Sequence, residues 1–89
     1  MKTNDLYRLA IDRYGVAAQC VVAVEELSEL QKEICKQLRD GGDLNALAEE
    51  IADAKIMIEQ VIKAFGIKQE AEAWRRLKLE RLERRLSDA

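Results

Sequence analysis

A four-residue turn, Asp40-Gly41-Gly42-Asp43, constrains this chain more than any other feature. Paired glycines between aspartates are strong punctuation, and apolar residues recur at helical spacing on both sides of them. Before the turn, Cys20, Val24, Leu27, Leu30, Ile34 and Leu38 follow a 3.6-residue period; after it, Leu44, Leu47, Ile51, Ala54, Ile58, Val61 and Phe65 alternate by three and four. Two long amphipathic helices joined by so short a turn are expected to lie antiparallel. The first should run from about residue 16 to 39. The second should be capped by Asp43, run to Phe65 as a buried seam, and be stopped by Gly66.

Two shorter helices complete the reading. One is expected from about residue 5 to 14, with Asn4 or Thr3 as its N-cap, and Gly15 interrupts it as a C′ residue or a kink. The other should span about residues 68 to 86, with Trp74, Leu77, Leu82 and Leu86 among its apolar positions. No strand pattern, internal repeat or low-complexity linker competes. The expected fold class is all-α, a four-helix, bundle-like single domain over residues 1–89.

Composition removes several mechanisms. There is no histidine among the 89 residues, so Ser-His and Cys-His nucleophile pairs and His-ligated zinc are impossible within this chain. Cys20 and Cys35 are too few for a disulfide framework and read as two small core hydrophobes. The net charge of −2 gives no general drive toward nucleic acid or membrane surfaces. No apolar run is long enough to span a bilayer. Met1-Lys2-Thr3-Asn4-Asp5 lacks the apolar segment of a signal peptide, so a cytoplasmic location is expected. Any chemistry must come from carboxylates, amines, guanidiniums, hydroxyls or a bound metal.

Two segments look alike: Glu25-Glu26-Leu27-Ser28-Glu29 and Glu49-Glu50-Ile51-Ala52-Asp53. Each carries an acid-x-x-acid pair, which forms a two-carboxylate edge on one helix face. With 17 acids in the chain, chance alone gives roughly three such pairs, and a solvated face is the ordinary meaning of any one. The chain has four: Glu26/Glu29, Asp40/Asp43, Glu50/Asp53 and Glu80/Glu83. Glu80 sits between Arg76 and Arg84, as a surface-paired acid should. Glu26, Glu50 and Asp53 have no basic residue three or four positions away, and they flank the apolar seams. Antiparallel pairing through the glycine turn would bring Glu26/Glu29 and Glu50/Asp53 together to within about a helical turn. Four such carboxylates call for a divalent cation or raised pKa values. Oxygen ligands without histidine or thiolate suit Mg²⁺ or Mn²⁺.

Glu26-x-x-Glu29 followed by Glu50-x-x-Asp53 resembles the ExxE…ExxD signature of the MazG-like all-α nucleoside triphosphate pyrophosphohydrolases, relatives of the dimeric dUTPases. The flanking Tyr14-Gly15, Gln19, Glu25-Glu26-Leu27-Ser28-Glu29-Leu30 and Glu49-Glu50-Ile51-Ala52-Asp53-Ala54 extend the likeness over about residues 9 to 66. The resemblance implies a helical fold working as a dimer or higher oligomer. It implies Mg²⁺-dependent cleavage between the α- and β-phosphates of a nucleoside triphosphate, giving a monophosphate and pyrophosphate. It makes Glu26, Glu29, Glu50 and Asp53 the metal ligands and catalytic residues. Many relatives carry an aliphatic residue where Lys55 stands, so Lys55 is a local variant, a phosphate contact or a surface residue.

Other candidates are weaker. Gln19, two turns before Glu26, could read a base edge because an amide both donates and accepts; a polar surface or interface residue is the plainer reading. Glu33 could be an outer ligand or a solvated charge near Lys32 and Lys36. Trp74 could stack on a base, but core or interface is its commoner role. The basic residues of the last helix interleave with Glu70, Glu72, Glu80 and Glu83 as a charged outer face, from which Lys78 and Arg81 could reach phosphates. The alternative to an enzyme is a non-catalytic helical homo-oligomeric module with solvated acids. Under either reading, Val21, Val22, Val24, Ile56, Met57, Ile62, Trp74 and Leu79 exceed what four helices can bury alone. A homodimer with its sites near the interface is therefore expected.

Overall fold

The computed structural model describes residues 1–87, so the last two residues of the expected 1–89 domain fall outside it. Among the described residues there are four helices and no strands: α1 (Thr3–Tyr14), α2 (Val16–Asp40), α3 (Leu44–Phe65) and α4 (Lys68–Ser87). The all-α reading holds. None of these helices is long and apolar enough to cross a membrane.

Local chemistry explains the boundaries. Asp43 caps α3, its side chain accepting from the Asn45 backbone N–H at 2.8 Å. Gly41 ends α2 in the left-handed region at φ 64°, ψ 45°. Gly15 breaks α1 from α2 at φ 91°, ψ 154°, a region essentially restricted to glycine. It is therefore an obligatory break and not a tolerated kink. The expected cap of α1 needs correction. The helix begins at Thr3, preceded by Lys2, with no side-chain cap. The Asn4 side-chain oxygen instead accepts from Lys63 Nζ at 2.6 Å, tying α1 to α3.

The hairpin α2–α3 is the body of the fold. Gln19 meets Gln60, and Glu26 meets Glu50 and Asp53; these nested pairs establish the antiparallel arrangement. Ala23, Ala54 and Met57 are its buried apolar residues, with Ala54 only 1% exposed. Small side chains at 23 and 54 let the two backbones approach closely. Gln19 Nε2 donates to Gln60 Oε1 at 2.8 Å, which satisfies a buried amide pair. α1 lies against the C-terminal half of α3, where the Tyr7 hydroxyl donates to Glu59 Oε2 at 2.7 Å. That bond to a carboxylate pushes the Tyr7 pKa up to about 12.

The seam expected to be buried along α3 is divided. Leu47, Ala54 and Val61 turn inward, but Leu44, Ile51, Ile58 and Phe65 stay exposed. A helical apolar stripe wider than one contact seam serves two faces, and a period alone does not separate them. Cys35 is likewise exposed and Cys20 half-buried, so neither is a full core residue. α4 buries no residue at all. A single chain does not close a four-helix bundle: its radius of gyration is 16.0 Å, against about 12 Å for a compact domain of this length.

Candidate metal centre

Inward-facing positions along α2 are Gln19, Ala23, Glu26, Leu30, Glu33 and Gln37; along α3 they are Leu47, Glu50, Ala54, Met57, Gln60 and Val61. Glu26 and Glu50 therefore occupy the contact seam itself, where the pattern repeats by three and four. The expectation that they merely border the seam understates their burial. One carboxylate oxygen each from Glu26, Glu50 and Asp53 lies within 4.8 Å of the others, and all three residues are half-buried.

Electrostatics reflect the crowding. The Glu26 pKa is raised, first by desolvation, then by the charges of Asp53, Glu29 and Glu25, and by a hydrogen bond with Asp53. The Glu50 pKa is raised by desolvation first, then by Asp53, Glu26, Glu29 and Glu49. Among the described residues no ion pair reaches these carboxylates. Among the described residues the ion pairs are Lys36–Glu33 at 3.3 Å and Arg39–Asp40 at 3.1 Å, both outside the cluster. Glu50 Oε2 is buried with no hydrogen-bond partner. A buried carboxylate oxygen without a donor is costly, and three converging carboxylates with an orphaned oxygen fit a hard divalent ion.

Glu29 stands outside the convergent three. It is exposed at their edge, close enough for its charge to raise both pKa values. Gln19 is buried and committed to Gln60. Lys55 is exposed and two residues from Asp53, hence about 200° around α3 from it. Glu33 is half-buried and paired with Lys36. Lys78 holds its ammonium 5.9 Å from the Trp74 ring centroid, and Trp74 is exposed in the single chain. Arg81 is exposed on α4. The sequence reading overlooked Gln60 and gave no role to the outer acids Glu25 and Glu49, which it placed in the two acidic segments. All three sit at seam-adjacent helical positions, so a two-helix wheel could have found them.

The raised pKa values give a signed prediction for the metal-free protein. A carboxyl whose folded pKa exceeds its unfolded value contributes stability below the unfolded pKa and loses it as pH rises through the folded one. Melting temperature is expected to fall as pH rises from near 4.5, the ordinary carboxyl value, through the raised values. Glu26→Gln should flatten that slope; an unchanged slope would contradict the coupling.

Comparison with protein-family models, with curated proteins and with solved structures returned no match.

Proposed function

We propose that this chain is a nucleoside triphosphate pyrophosphohydrolase of the MazG-like kind, acting as a homo-oligomer. One observation carries the reading: three half-buried carboxylates converge within 4.8 Å, and among the described residues none of them forms an ion pair. The ExxE…ExxD resemblance supplies the reaction class.

Glu26, Glu50 and Asp53 would hold Mg²⁺ or Mn²⁺, and Glu29 beside them would complete the acidic set. When bound, the ion neutralises the phosphate chain and orients it. Glu26 and Glu50, carried on two rigid helices, fix the position of the site relative to the hairpin backbone. Glu29, at the exposed edge of the cluster, would take up the proton of the water whose oxygen bonds to the attacked phosphorus. The bond that breaks joins the α- and β-phosphates, and the products are a nucleoside monophosphate and pyrophosphate. No protein nucleophile is needed, in keeping with a chain that has no histidine.

Pyrophosphate release across a panel of nucleoside triphosphates tests this. Release should require Mg²⁺ or Mn²⁺ and stop with EDTA; no release from any triphosphate with either ion would defeat the reading. The ion should also raise the melting temperature. At ten times its Kd it contributes about 1.4 kcal/mol, or about 8 °C for a domain of this size. A non-catalytic helical module with solvated acids would show neither effect.

A further inference from the structure

The net charge of −2 hides an uneven distribution. Helix α4 carries seven basic and four acidic residues, a net +3, whereas residues 1–67 carry eight basic and twelve acidic, a net −4. Helical geometry sorts the charge further. At about 100° per residue, Arg75, Lys78, Arg81, Arg84 and Arg85 fall on one half of the α4 circumference, with Trp74, Leu77 and Leu82 among them. The one acid on that half is Glu70, in the first turn. Glu72, Glu80 and Glu83 share the other half with Arg76, Leu79 and Leu86. The interleaving of charge expected from the sequence therefore holds along the chain but not around the helix. The basic half is also uncovered. Every residue from Trp74 to Ser87 is exposed, and among the described residues none of the five cations forms an ion pair. Trp74 is 62% exposed, and Lys78 Nζ stands 5.9 Å from its ring centroid, so aromatic surface and positive charge adjoin.

We infer that the basic half of α4, centred on Trp74, docks single-stranded nucleic acid. The arginines and Lys78 take the phosphates, and Trp74 stacks on an unpaired base. The surface lies on a different helix from the carboxylate centre and depends neither on the metal nor on the triphosphate chemistry.

Charge complementarity argues for this occupant. Unpaired cations along one helix face match a chain of phosphates, whose counterions they release on binding. Four of the five are arginines, whose planar fork bonds phosphate oxygens in pairs. Trp74 selects the single strand. Bases inside a duplex are already stacked on one another, whereas unpaired bases offer a free face to an aromatic ring. A lipid surface fits less well. A helix that lies in a bilayer interface gathers its apolar side chains on one face and its cations on the other. In α4, Trp74, Leu77 and Leu82 share a face with the cations, and Leu79 and Leu86 lie on the opposite half.

Trp74 is the only tryptophan in the chain, so its own fluorescence reports on this face. Titration with an oligothymidylate of about twelve nucleotides, at about 50 mM salt and in EDTA, should quench it. The logarithm of the binding constant should fall with the logarithm of salt concentration at a slope of about −3, the value for four to five phosphate contacts on a single strand. Arg81→Gln and Arg85→Gln should each reduce that slope by about 0.7. Trp74→Ala, followed by anisotropy of a labelled oligonucleotide, should weaken binding about tenfold or more while leaving the slope unaltered. Arg76→Gln removes the same charge from the other half of α4 and should leave affinity within about twofold. All four positions are exposed, so these variants keep the fold. Absence of quenching would overturn the inference, as would equal losses in Arg76→Gln and Arg81→Gln or full affinity in Trp74→Ala. Equal affinity for a duplex of the same sequence would overturn the choice of a single strand. Tighter binding to phosphatidylserine vesicles than to the oligonucleotide would assign the face to a membrane instead.

Discussion

Asp53→Asn and Glu50→Gln are each expected to abolish divalent-ion binding and reduce triphosphate turnover by more than a hundredfold, with helix content intact. Both swaps are nearly isosteric and remove one charge from a cluster whose ligand oxygens lie within 4.8 Å of one another. They also relieve the repulsion that, after desolvation, raises the Glu26 and Glu50 pKa values. The metal-free variants should consequently be more stable than the unaltered chain at neutral pH, even though they are inactive. Activity lost together with stability would indicate mere unfolding; activity lost as metal-free stability rises identifies a site built at a cost to the fold. The check is isothermal titration with Mn²⁺ beside thermal melts in EDTA. Turnover retained within tenfold in both variants would remove the metal-centre assignment. As a control, changing Glu80 and Glu83 on the exposed α4 to glutamine should leave turnover unaltered. Surface charges of that kind contribute about 0–1 kcal/mol.

Ala54→Leu is expected to be the most damaging substitution that touches no carboxylate. Ala54 is 1% exposed and packs in the seam with Ala23, itself 5% exposed. Three added carbon atoms have no space there, so the helices must separate or the side chains leave their preferred rotamers. Overpacking of this kind typically costs about 1–3 kcal/mol, a large part of the stability of an 89-residue chain. The functional loss should exceed the structural one. Ala54 is one residue from Asp53 and four from Glu50, so spreading the seam pulls both away from Glu26 on α2. Ala54→Gly, which leaves the spacing intact, should retain metal binding despite a helix-propensity cost of about 1 kcal/mol. Equal loss of metal affinity in both variants would mean that close helix approach is not what assembles the cluster.

Much of the fold is legible in the sequence because it rests on local chemistry. Asp43 caps α3 through its own side chain, Gly15 holds a backbone conformation that other residues avoid, and Gly41 ends α2. These are effects of one or two residues, and they set helix boundaries nearly to the residue. The exception, α1, shows where locality fails. Asn4 has the chemistry of a cap, but its side chain bonds to Lys63 on a distant helix, a competitor that no local rule contains.

By itself, the sequence determined the four-helix, all-α character and the pairing of α2 with α3. Helical period, capping and a short turn act over a few residues and need no third dimension. It also marked Glu26, Glu50 and Asp53, because acids without nearby basic partners stand out along a helix. Tertiary structure alone decided which apolar residues are buried, that Gln19 is committed to Gln60, and that Glu29 stands outside the three converging carboxylates. A wide apolar stripe has two possible faces, and a carboxylate has several possible neighbours. The choice between them depends on how closely two backbones approach, here through Ala23 and Ala54, and that distance belongs to the packed pair and not to either helix.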